Sequence, residues 1–202
     1  MSRVGVLISG RGSNLQALVD AEARDELGGE IVVVISNKSE AFGLQRAKNA
    51  GIQTYVVSKR DYPIREEHDQ RIVDILKDNQ VDLVVLAGYM RVLTDVFISE
   101  FENRIINVHP ALLPAFKGLD AQLQALDHGV RYSGCTTHFV NLEMDDGPII
   151  LQAVVPVQAS DTGEVLADRI LPEEHKILVD SVRLFCNGRL KVEGRKVLIR
   201  EG

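Results

Sequence analysis

Through the first half of the chain, short apolar runs rich in β-branched residues alternate with longer amphipathic stretches, and this constrains the fold most. The runs are Val4–Ser9, Ile31–Ser36, Gln53–Val57, Val81–Ala87 and Arg104–His109. Between them, Asn14–Glu26, Ala41–Ala50, Ile64–Asn79 and Thr94–Phe101 place apolar residues at helical spacing. Strands this apolar, joined by helices, bury both faces of a parallel sheet. Gly51 and Asn79-Gln80 stand where helices should end.

The pattern changes after His109. Pro110 and Pro114 forbid regular structure across Pro110–Gly118, so a loop is expected there. A helix over Leu119–Asp127 follows, then strands over Cys135–Val140 and Ile149–Val155. Gly163–Asn187 reads as a long helix, broken or kinked near Pro172. A hairpin, Leu190–Val192 and Lys196–Ile199, turns at Glu193-Gly194. No internal repeat or low-complexity linker interrupts the series, and 202 residues suit one domain.

The charge balance narrows the partners. Asp and Glu outnumber Lys and Arg by 29 to 23, so a polyanion such as nucleic acid is not expected. A small anion held by backbone donors remains compatible with that balance. Cys135 and Cys186 lie outside any metal-ligand spacing, and no metal is expected; reduced thiols point to the cytoplasm. Val4–Ile8 is too short for a signal peptide, and no run has the length of a membrane span, so no membrane partner is expected.

Ser9-Gly10-Arg11-Gly12-Ser13-Asn14-Leu15 joins the first strand to the first helix. Its glycines allow a sharp turn that presents bare N–H groups to an anion. A dinucleotide fingerprint would place glycine or alanine where Leu15 stands and an acidic residue where the second strand closes with Ser36-Asn37. A phosphate monoester fits better, with Ser13 and Asn14 capping the helix and donating to phosphate oxygens. A tight capped turn without a ligand stays open.

Asn107 and His109 are two apart at the carboxyl end of the fifth strand, so both project from one face where open α/β sheets bind ligands. An amide N–H and an imidazole aimed at one point can polarise a carbonyl and stabilise an oxyanion. Asp145, in Met144-Asp145-Asp146-Gly147-Pro148, supplies a carboxylate that would favour the imidazolium and relay a proton through water. A solvated turn at the same place remains the alternative, because spacing does not bring Asp145 to His109.

These segments resemble the folate-dependent formyltransferase family, in its phosphoribosylglycinamide formyltransferase branch. The resemblance runs over nearly the whole chain and rests on Ile8–Gln16, Leu86–Leu93, Ile106–Pro114, Gly134–Val140 and Asp145–Ile150 in that order. It implies a Rossmann-like, mostly parallel twisted sheet with helices on both faces and antiparallel strands in the C-terminal part. One formyltransferase domain would span 1–202, with 1–110 as its phosphate-binding half and 111–202 as its folate-binding and C-terminal half. The implied reaction moves the formyl group of 10-formyltetrahydrofolate, the co-substrate, to the amine of phosphoribosylglycinamide in de novo purine biosynthesis.

The resemblance also implies roles. Asn107, His109 and Asp145 match the catalytic trio; Gly12, Ser13 and Asn14 match a ribose-phosphate cradle, and Glu174 a carboxylate that holds the glycinamide riboside. Arg65, Met90, Arg91, Val92 and Leu93, with Asn107, match the folate side. Asp120 stands where relatives often carry His or Asn, and Val179 where they often carry proline, so neither receives a role. Monomer and homodimer are both compatible.

Three other readings compete with this one. A methionyl-tRNA formyltransferase would add a nucleic-acid-binding domain, and no basic extension follows here. A formyltetrahydrofolate deformylase would add an N-terminal regulatory domain, and the first strand begins at Arg3. A non-catalytic nucleotide-binding module would use the same crevice without turnover.

Overall fold

The first strand shows how the sheet acquires two covered faces. In β1 (Ser2–Ile8), Val4, Val6 and Ile8 enter one apolar cluster and Leu7 the other, as alternation along a strand requires. The computed structural model describes residues 1–200; residues 201 and 202, within the expected domain span, lie outside the described residues. One face is covered by α1 (Ser13–Ala23), α2 (Phe42–Asn49), α5 (Ala121–His128) and α6 (Gly163–Cys186). The other is covered by α3 (Arg65–Asp78) and α4 (Asp95–Glu100).

The strands are β2 (Gly29–Ser36), β3 (Gln53–Val56), β4 (Leu83–Leu86), β5 (Ile105–His109), β6 (Tyr132–Phe139), β7 (Ile149–Pro156), β8 (Leu190–Glu193) and β9 (Lys196–Ile199). Their order is β3-β2-β1-β4-β5-β6-β7-β9-β8. The first five run parallel; β6 pairs antiparallel with β5, and β7 with β6. The expected α/β architecture, with its antiparallel C-terminal part, is therefore present. β1 lies between β2 and β4, so the chain reverses direction across the sheet there, and the turns after β1 and β4 diverge to open a crevice.

Several boundaries depart from the sequence reading. α6 is unbroken from Gly163 to Cys186 with Pro172 inside it. Pro172 is exposed, so its missing N–H falls on the solvent side, while Leu166, Ile170, Ile177, Leu178 and Val182 pack inward. Val179, half-buried, lies within the same helix. α5 begins at Ala121, because Asp120 takes a left-handed φ of 54° as its N-cap. α1 ends at Ala23, where Asp25 turns left-handed. β6 begins three residues earlier than Cys135; its opening Tyr132-Ser133-Gly134 carries no apolar signature.

Cys135 and Cys186 are free thiols, raised by burial to about 12 and about 11. Among the described residues, no group of three or more His, Cys, Asp or Glu could hold a metal ion. None of the described helices is long and apolar enough to cross a membrane.

Candidate active site

The crevice at the sheet's reversal has a volume of about 190 Å3 and is lined by Ser9 to Asn14 from one turn and Ala87, Gly88 and Met90 from the other. Ser9 ties the two together: its Oγ accepts from the Met90 N–H at 2.8 Å and donates to Asn37 Oδ1 at 2.7 Å. Gly12 is the N-cap of α1, in the left-handed region at φ 71°. A Cβ there would lie 2.6 Å from Gly43 Cα, so this turn packs directly on the start of α2. Arg46 of α2 fastens it further, donating to the Arg11 carbonyl at 3.0 Å and to Gln16 Oε1 at 2.9 Å.

The expectation that Ser13 and Asn14 cap α1 is corrected. The N-cap is Gly12, which has no side chain to accept a bond; Ser13 and Asn14 are already helical. The Asn14 amide points away from its own helix end and donates to Glu174 Oε2 of α6 at 3.0 Å. Burial raises the Glu174 carboxyl above the ordinary glutamate value, while the bond from Asn14 pulls it back. Asn14 Oδ1 and His175 Nε2 are buried with no hydrogen-bond partner among the described residues, and burial lowers His175, favouring the neutral ring. An orphaned amide oxygen beside the Glu174 carboxyl is what a polar ligand satisfies.

Asn107 and His109 leave the carboxyl end of β5 on the same face. His109 is 5% exposed. Its Nδ1 lies 3.3 Å from Asp145 Oδ2, and its Nε2 lies 2.8 Å from the Phe116 carbonyl. An acceptor therefore flanks each ring nitrogen. Asp145 reaches this point because it takes φ 51° between β6 and β7. Its Oδ2 also accepts the Gly118 N–H at 2.9 Å. The sequence could not decide whether Asp145 approaches His109; the structure brings the two together.

His138 was not anticipated as a site residue. β5 and β6 pair with Asn107 opposite His138, and Asn107 Nδ2 lies 3.2 Å from His138 Nε2. His138 Nδ1 donates to the Phe139 carbonyl at 3.0 Å, which leaves Nε2 as an acceptor. Burial lowers His138 below the ordinary histidine value, so the ring is neutral, and its 3.7 Å approach to Asp145 Oδ1 is a contact rather than an ion pair. Same-face alternation of Thr136 and His138 on β6 was the available signal.

Of the expected folate-side residues, Met90, Arg91, Val92 and Leu93 occupy the segment after β4, while Arg65 opens α3 and Asn107 lies in β5. Met90 and Val92 are exposed, 69% and 52%, and so are not core, whereas Leu93 is buried. Arg91 is partly exposed. Arg65, first residue of α3, donates to the Val92 carbonyl at 3.1 Å. Asp69, unanticipated, accepts the Thr94 N–H at 2.7 Å and neighbours His68, whose ring contacts the Val57 carbonyl at 2.8 Å. α3 thus grips the segment at both Val92 and Thr94. Asp120 is exposed.

Residues 2–182 match the family described as formyl transferase. Phosphoribosylglycinamide formyltransferase of Escherichia coli is 43% identical over 93% of the chain and 88% of its own length. The trifunctional purine biosynthetic protein adenosine-3 of Chironomus tentans is 45% identical over 96% of the chain, which spans only 14% of that protein. Glycinamide ribonucleotide transformylase 1 from Symbiobacterium toebii superposes with a TM-score of 0.98 at 51% identity, covering 100% of this chain and 95% of that one. With the crevice, the β5 pair and the Asp145 turn in place, the chain belongs to the formyl transferase family.

Proposed function

We propose that this protein transfers the formyl group of 10-formyltetrahydrofolate to the amine of phosphoribosylglycinamide, a step of de novo purine biosynthesis. The observation that carries this reading is the convergence of Asn107, His109 and Asp145 beside the carboxyl end of β5. The names of the full-length bacterial relatives support it.

The phosphate of the acceptor binds at Gly12, Ser13 and Asn14, and Glu174 holds its glycinamide riboside. Binding energy from the non-reacting phosphate thereby orients the nucleophile. Met90 and Val92 supply an apolar wall for the folate, and the backbone of Arg91 to Leu93 reads its polar edge, with Arg65 holding that segment. The amine attacks the formyl carbon, a C–N bond forms, and the carbonyl oxygen becomes an oxyanion facing the Asn107 amide. His109 joins as donor once its Nε2 exchanges the Phe116 carbonyl for that oxygen. Asp145 keeps the imidazolium charged and passes the proton from the attacking amine, through water, toward the departing folate nitrogen. The C–N bond to the folate then breaks.

The chain works as one domain, residues 1–110 supplying the phosphate turn and residues 111–202 the Asp145 loop and α6. Free Cys135 and Cys186 favour the cytoplasm as its place of action. The test follows loss of the formyl group from the folate with and without glycinamide ribonucleotide. Acceptor-dependent loss supports the proposal. Loss without acceptor would make the protein a deformylase, and no loss in either case a binding module.

A further inference from the structure

Two three-residue strips close over the site, and each residue of one meets the other strip or the trio. In the loop before α5, the Phe116 carbonyl accepts from His109, Lys117 pairs with Asp146, and the Gly118 N–H donates to Asp145. In the loop between β6 and β7, Asp145 holds φ 51°, a region that non-glycine residues avoid. A Cβ on Gly147 would lie 1.7 Å from the Phe139 carbonyl oxygen, so the backbone is wedged there too. A disfavoured φ persists only where the surroundings over-determine it.

The remaining fastening comes from the C-terminal hairpin. Arg195, in the turn between β8 and β9, donates through Nη1 to Asp146 Oδ2 at 2.8 Å and through Nη2 to the Asp146 carbonyl at 3.1 Å. Its neighbour Lys196 pairs with Ile149 where β9 meets β7, which sets Arg195 beside the loop. The Arg195 and Lys117 cations hold the Asp146 carboxyl far below the usual carboxylate range, so it remains charged wherever the protein works. Arg195 itself is 74% exposed, and ion pairs so open to solvent contribute little to stability. Their effect here is on geometry.

We propose that Arg195 is a positioning residue: through Asp146 it zips residues 145–147 to residues 116–118 and so fixes the Asp145 carboxylate against His109. The inference rests on the formyl-transfer reading for its kinetic consequence, but the fastening of the two strips can be measured without turnover.

The experiment uses the full chain with Arg195→Ala, Arg195→Lys and Asp146→Asn. Arg195→Ala is expected to lower kcat for acceptor-dependent transfer by roughly 5- to 10-fold, since a small displacement of a reacting group costs rate. KM for glycinamide ribonucleotide and the melting temperature should stay unchanged. Arg195→Lys should recover most of the rate, and Asp146→Asn should match the alanine variant. By NMR, the Gly118 amide should exchange with solvent about 5-fold faster in Arg195→Ala, through local opening, while that of Val33 in β2 does not change. Unaltered Gly118 exchange, or faster exchange at Gly118 and Val33 alike, overturns the proposal, as does unaltered kcat in an active enzyme. A wild-type protein without transferase activity would defeat the functional reading alone, and Gly118 exchange would still decide the fastening.

Discussion

The Asn107 amide and the His138 imidazole meet across the β5–β6 ladder, Nδ2 to Nε2 at 3.2 Å, and their hydrogen-bond chemistry fixes which way the amide faces. With His138 Nδ1 committed to the Phe139 carbonyl, only the NH2 side of Asn107 can satisfy Nε2. The second N–H of that amide is left for the oxyanion. Asn107→Ala is therefore expected to cost about 3–4 kcal/mol of transition-state stabilisation, the loss of an oxyanion donor. His138→Ala frees the amide to flip and should lower kcat by roughly tenfold with little change in acceptor KM. Steady-state kinetics of acceptor-dependent transfer checks both, and full turnover by Asn107→Ala would remove it from the mechanism.

Asp145→Asn keeps an oxygen for the Gly118 N–H but loses the charge beside His109. The proton relay goes with it, so kcat should fall by about 10²- to 10⁴-fold. Acceptor KM should move little, because the proposed mechanism places Asp145 among the reacting groups and the phosphate at the Gly12 turn. Single-turnover transfer with saturating substrates measures the chemical step directly.

Glu174 links stability to pH. Burial raises its carboxyl above the ordinary value, so between the ordinary and raised values the folded state keeps a proton that the unfolded chain has released. Its contribution is fully present below that window and is lost as pH rises through it. Glu174→Gln removes this dependence and offers an N–H to Asn14 Oδ1, which has no partner among the described residues. The variant should be more stable at neutral pH, by on the order of 1 kcal/mol, with the gap closing on acidification. Thermal melts across pH test the sign, and acceptor KM should rise in the same variant.

Gly12→Ala sets a Cβ 2.6 Å from Gly43 Cα while forcing alanine to φ 71°. The left-handed conformation alone costs about 1–2 kcal/mol, and the clash pushes the turn off α2. Acceptor KM should rise roughly tenfold or more, the equivalent of 1.4 kcal/mol. Melting curves and acceptor titrations read the two effects separately.

Strand and helix alternation made the parallel half of the sheet legible, because each apolar run there carries its own local signature. The Asn107–His109 pairing on one face followed from the two-residue repeat of a strand. Asp145 was legible as a candidate but not as a neighbour, since its approach depends on the antiparallel return of β6 and on one left-handed residue. His138 was hidden for the same reason: its partnership with Asn107 is a matter of register, and register is set between strands. Pro172 misled about α6 because the rule against proline inside helices is local, whereas the packed apolar face of a 24-residue helix is not.

The bond between Asn14 and Glu174 joins positions 160 residues apart. During synthesis, the glycine turn emerges well before its carboxylate counterpart in α6. A nascent chain can therefore form β1 to β5 early and still lack the pocket that would grip its acceptor. On the proposed reading, the acceptor site is complete only once α6 has packed against α1.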